Sequence, residues 1–129
     1  MIAVDTNVII RIITADDPLQ TPVARALVAR GVFISHSVLM ETEWVLRSYY
    51  RWERGDIAET FDDLLNLEGV HVLHEDALFW ALDRYRLGAD WADMLHLIAC
   101  RGTESFHTFD RSLVGDAGDA APVPIEVLT

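Results

Sequence analysis

Short apolar runs separated by longer amphipathic segments constrain this chain more than any other feature. Ile2 to Val4, Val32 to Ile34, Phe106 to Phe109 and Ile125 to Leu128 are runs of strand length, and helical-period segments fill the intervals. Strands separated by helices pair in parallel, with right-handed crossovers. The pattern therefore predicts an α/β fold with a central, mostly parallel β-sheet flanked by α-helices. The chain of 129 residues shows no repeat and no low-complexity stretch, and its length suits one core, so it reads as a single domain over 1–129. With 51% hydrophobic residues it has enough apolar side chain to fill that core without staples.

Helix signals punctuate the intervals. Asp5-Thr6-Asn7 is rich in capping residues, and the run Val8 to Ile13 that follows reads either as a helix or, by its β-branched residues, as a strand. Asp16-Asp17-Pro18 begins a helix that runs to Arg30, with Gly31 suited to its C-terminal cap. Ser35-His36-Ser37 precedes a long helix through Tyr50, and Gly55-Asp56 opens another from Ile57 to Asn66. Val70 to Leu73 is apolar but of open type. Leu78, Phe79, Leu82 and Tyr85 have helical spacing between Asp76 and Leu87, and Asp90 caps a further helix through Cys100. The stretch from Val114 to Pro122 reads as a surface loop by composition.

Charge and composition narrow the function. Ten basic residues against twenty-one acidic ones leave a net charge of −11, which opposes an electrostatic nucleic-acid clamp but not metal-assisted chemistry on nucleic acid. All ten basic residues are Arg. Without lysine the chain cannot build a Walker-type phosphate loop, a Schiff-base enzyme or a Lys-assisted aspartyl-phosphate enzyme. The one cysteine, Cys100, has no intrachain disulfide partner. The N-terminal residues lack the basic start and long apolar run of a secretory signal, and charged residues interrupt every candidate for the roughly 18 apolar residues that span a bilayer. The expectation is a cytoplasmic protein with no membrane association.

In an open parallel sheet, ligands bind outside the carboxyl ends of the strands. Asp5 follows the first strand and Asp110 follows Phe106 to Phe109, so neighbouring strands would bring both carboxylates to one edge. Asp93 lies in the first turn of its helix, three residues past the cap Asp90, pointing back to the loop edge. The helix from Ser37 carries Glu41 and Glu43. Glu43 has Arg47 at i+4 as a surface partner, whereas Glu41 sees only Ser37, Val38, Trp44 and Val45 and is placed inside. Asp5, Glu41, Asp93 and Asp110 together would form an oxygen-only site, which prefers Mg²⁺ or Mn²⁺ to zinc. Taken singly, each is an ordinary cap or turn residue.

The wording of the sequence is more specific than its periodicity. Met1-Ile-Ala-Val-Asp5-Thr6-Asn7, Val38-Leu-Met-Glu41-Thr-Glu-Trp44-Val45-Leu46, Asp90-Trp-Ala-Asp93-Met-Leu-His96 and Thr108-Phe-Asp110 occur in order across nearly the whole chain. Together they resemble the PIN-domain ribonucleases, specifically VapC-type toxins of toxin-antitoxin pairs. That resemblance implies a parallel sheet flanked by helices, Mg²⁺ or Mn²⁺ as cofactor, endoribonuclease activity on an RNA substrate, inhibition by a cognate VapB-type antitoxin, and a homodimer. The family's acidic quartet falls on Asp5, Glu41, Asp93 and Asp110. Asn7 and Thr108 match supporting polar positions, and Asp90 matches an accessory one. The alternative is a catalytically silent PIN-like module that binds RNA or protein. A small metal-dependent phosphatase is a poorer fit, since such enzymes usually have a second acid at position 7 and a lysine elsewhere.

Other polar and aromatic residues carry less. The five histidines have no metal-ligand spacing. Trp44 and Tyr49 lie near the apolar face of their helix and read as core or interface in preference to base-stacking platforms. Arg47, Arg51 and Arg54 form a basic stripe that suits either a solvated face or RNA phosphate.

Overall fold

The computed structural model describes residues 1–129, and its strands are parallel and its helices numerous, as an α/β chain requires. The chain divides into two compact units, Met1–Leu73 and His74–Thr129.

The first unit contains β1 (Ile2–Ala3), α1 (Thr6–Thr14), α2 (Gln20–Arg30), β2 (Val32–Phe33), α3 (His36–Ser48), α4 (Arg54–Asn66) and β3 (Val70–His71). Its three strands are parallel in the order β1-β2-β3, with Ile2 opposite Val32 and Val32 opposite Val70. Val32 and Ile34 are fully buried. β1 stands at an edge of this sheet, with Ile2 half-buried and Ala3 exposed, so the expected buried first strand is instead a half-buried one. The β-branched run after Asp5 is helical. Asp5 caps it by accepting from the Val8 amide at 3.3 Å, and Ile9 and Ile10 are buried on one face, so tertiary burial outweighs propensity. Asp17 performs the same service for α2, its Oδ1 accepting from the amides of Leu19 and Gln20. Ser35 caps α3 through the Val38 amide, which starts that helix at His36, one residue before the expected Ser37.

The second unit contains α5 (Glu75–Arg86), α6 (Trp91–Ala99), β4 (Phe106–Thr108), α7 (Leu113–Ala117) and β5 (Ile125–Val127). β4 and β5 are parallel, with Phe106 opposite Ile125 and Thr108 opposite Val127. β1 and β4 therefore belong to separate sheets and are not paired neighbours. Leu78, Leu82, Met94 and Leu97 are fully buried, and the Tyr85 and Trp91 rings meet edge to face at 5.7 Å. One expected loop is corrected: residues 113–117 form the short helix α7, because Leu113 and Ala117, four apart, are both buried. No helix of the chain is long and apolar enough to cross a membrane.

Candidate functional site

The acids singled out from the sequence divide between the units, and each owes its place to local structure. In the first unit Asp5 is exposed and its carboxylate caps α1. Asn7, one residue into that helix, is also exposed. It borders a cleft of about 340 Å³ between α1 and α2, lined mainly by Val8, Arg11, Leu19, Val23 and Leu27. No carboxylate lines that cleft, so it offers nothing to a hard cation.

On α3 the structure reverses the expected roles of two glutamates. Glu41 is exposed to solvent and not enclosed. Glu43 is the buried one, only 5% exposed, with Arg47 Nε donating to its Oε2 at 2.8 Å and Nη2 to its Oε1 at 3.4 Å. The i+4 spacing rightly identified the partner, but the pair is not a surface decoration. Trp44, 58% exposed, and Tyr49, 77% exposed, are likewise not core residues. Glu41 and Trp44 lie one turn apart and share the open side of the helix, which removes the apolar enclosure expected for Glu41.

The second unit gathers carboxylates. Asp90 caps α6, its Oδ1 accepting from the Asp93 amide at 2.9 Å. Asp93 is half-buried, and its pKa is raised, first by burial and then by the charges of Asp90, Asp110 and Asp116, partly offset by His96. Like charges that disfavour the ionisation of Asp93 are what a cation would relieve. Asp110 lies two residues past the end of β4. Its amide donates to Thr108 Oγ1 at 3.0 Å. The Ser112 amide and hydroxyl donate to Asp110 Oδ1 at 2.9 and 2.7 Å, and these bonds hold its pKa below the usual range. Asp110 and Ser112 thus form the side-chain turn that an Asp two residues before a Ser permits.

Two residues of this region were missed in the sequence. Ser112 stands between two carboxylates, its hydroxyl 2.7 Å from Asp110 and 3.2 Å from Asp116 Oδ2. Asp116 lies four residues after Ser112 on α7, a spacing that is readable only once that segment is known to be helical. In chemistry, the donor set fits a hard divalent cation: it is all oxygen, and its Asp93 member is destabilised as an anion until a cation approaches. No three or more His, Cys, Asp or Glu side chains are grouped as a ready metal cluster.

The parallel strands β1 and β4 are each followed, two residues past their last residue, by a solvent-facing acid, Asp5 and Asp110. The PIN domain family matches residues 2–114, across both units, and the chain belongs to it. PIN domains are in general a nuclease fold, typically metal-dependent, and are associated with RNA. Neither the curated proteins nor the solved structures yielded a match.

Proposed function

We propose that this PIN-family chain is a metal-dependent endoribonuclease that acts as the toxin of a toxin-antitoxin pair. The observation that carries the nuclease reading is the half-buried Asp93 carboxylate, whose ionisation burial and the nearby charges of Asp90, Asp110 and Asp116 disfavour, in a chain of this family. Asp5, Glu41, Asp93 and Asp110 are the proposed metal ligands and catalytic acids, with Asn7, Asp90 and Thr108 in support. The cofactor is Mg²⁺ or Mn²⁺, as an all-oxygen donor set prefers. Such an ion supplies the positive charge that phosphodiester hydrolysis needs on its attacking and leaving oxygens.

The chain's own residues then do the positioning. Asp5 is held by its bond to the Val8 amide, and Asp110 by Ser112. Asp93, half-buried with a raised pKa, contributes a carboxylate whose ionisation a nearby cation would favour. RNA must approach a protein of net charge −11, so phosphate binding depends on the ion and on local arginines rather than on the overall field. The toxin role, the cognate VapB-type antitoxin, the homodimer and the cytoplasmic setting rest on the four sequence fragments that resemble VapC-type toxins. Purified protein should cleave RNA with Mg²⁺ or Mn²⁺ and stop when EDTA is added. RNA bound but never cut, at any divalent ion, would favour a catalytically silent PIN module.

A further inference from the structure

We propose that Arg84 and Trp80 on α5 are positioning residues for the Asp110 carboxylate, acting through α7. The inference rests on the reading of Asp110 as a metal ligand and deepens it.

A five-residue helix is too short to be stable alone, and its last four carbonyls have no partners within it. In α7 all four are satisfied. The Val114 carbonyl accepts from the Gly118 amide at 3.1 Å. Arg84 Nη2 donates to the Gly115 carbonyl at 2.9 Å and Arg84 Nε to that of Asp116 at 2.7 Å. Trp80 Nε1 donates to the Ala117 carbonyl at 3.2 Å. Trp80 and Arg84 are four apart and share one face of α5, so a single helix face satisfies three of the four terminal carbonyls of α7. The cation also suits the negative end of the helix. The fit is close, because a Cβ at Gly118 would meet Arg84 Nη1 at 2.8 Å and Cζ at 2.9 Å.

The other end of α7 holds the acid. The Asp116 amide donates to the Ser112 carbonyl at 3.0 Å, and the amide and hydroxyl of Ser112 both donate to Asp110 Oδ1. Both of those bonds end on the same carboxylate oxygen, so they restrain the carboxylate's rotation and leave Oδ2 outside the Ser112 contacts. A shift of α7 therefore moves Ser112 and with it Asp110. Arginine is required because its planar fork spans two adjacent carbonyls, which a lysine's single point charge does not do.

The test is Mn²⁺ affinity of the full chain, measured by the electron paramagnetic resonance of free Mn²⁺. Arg84→Gln is expected to weaken binding by about tenfold, the scale typical of residues that orient a ligand. Arg84→Lys should recover only part of it. Asp110→Asn should weaken binding as well, and adding Arg84→Gln to it should cost nothing more, because the latch then has no carboxylate to place. Equal Mn²⁺ affinity in Arg84→Gln and wild type, or losses that add in the double variant, overturn the latch while leaving Asp110 a ligand. Unchanged affinity in Asp110→Asn removes the ligand role itself, and the latch with it. If Arg84→Gln does not fold, Trp80→Phe, which removes the indole N–H together with part of the ring, is read in its place: a loss of affinity absent from the Asp110→Asn background supports the latch, and wild-type affinity overturns it.

Discussion

Arg47 reaches back one turn of α3 to hold Glu43 by two hydrogen bonds, and the carboxylate it holds is buried while its own guanidinium remains half in solvent. The neighbouring Glu41 faces the opposite way, into water. Stability and catalysis should therefore separate on this helix. Glu43→Gln loses charge-assisted bonds in a buried place and should cost about 1.5 to 3 kcal/mol by chemical denaturation, with RNA cleavage retained. Glu41→Gln should stay within about 0.5 kcal/mol of wild type and lose cleavage. Cleavage lost only in Glu43→Gln would move the fourth carboxylate to Glu43.

Asp5 has two jobs that a single substitution divides. Asparagine is as good a helix cap as aspartate, so Asp5→Asn keeps an acceptor for the Val8 amide and should change stability by a few tenths of a kcal/mol. It removes the negative charge that a divalent ion needs. Metal-dependent RNA cleavage should fall at least about a hundredfold, the scale of losing a group that acts on the transition state. Cleavage at the wild-type rate in Asp5→Asn, or in EDTA, would sink the metal mechanism.

Asp93 gives the pH dependence a definite sign. Its pKa is raised in the folded chain, by burial first and by Asp90 next, so folding favours its protonated form. The stabilisation this brings is complete below the ordinary aspartate pKa and disappears as pH rises through the folded value, leaving a repulsive anion at neutral pH. Asp93→Asn should consequently melt higher than wild type at neutral pH, with the gap closing in acid. Mg²⁺ or Mn²⁺ should raise the wild-type melting temperature more at neutral pH than in acid, and raise that of Asp93→Asn less. A wild-type melting curve indifferent to millimolar divalent ions would speak against convergence of the acids.

Gly69 and Gly31 test how tightly the first unit is closed. Both have φ near +93°, yet a Cβ on Gly31 meets nothing, whereas one on Gly69 would run into the Val28 carbonyl. Gly69 also accepts from the Val32 amide at 2.7 Å, at the start of the β2–β3 ladder. Gly31→Ala should cost about 1 kcal/mol, the strain of its φ alone. Gly69→Ala should cost about 2 kcal/mol more, because the obstacle is backbone and cannot swing aside. Equal melting temperatures for the two variants would show that the α2 end yields.

Features governed by nearest neighbours along the chain were legible in the sequence. Asp5, Ser35 and Asp90 each cap the helix their identity announces, and the strand runs at Val32, Phe106 and Ile125 appear where apolar β-formers cluster. Features that depend on distant partners were not. An i+4 Glu and Arg read the same on a surface or under one, so the depth of Glu43 had no local mark. The Gly and Asp around Val114 spell a loop, and α7 exists there because Arg84 and Trp80, more than thirty residues earlier, supply its missing hydrogen bonds. The acids of the second unit were visible as residue types, while Ser112, which orients one of them, was hidden by the misread helix.

The unequal burial of the tryptophans makes the chain its own optical probe. Trp44 on α3 is open to solvent and Trp91 at the start of α6 is 2% exposed, with Trp52 and Trp80 between these extremes. An ionic quencher such as iodide should extinguish the red-shifted emission of Trp44 and leave the blue emission of Trp91, one reporter in each compact unit. Loosening of the second unit then registers as a red shift of Trp91 against the constant red emission of Trp44, with no dye attached and no residue replaced.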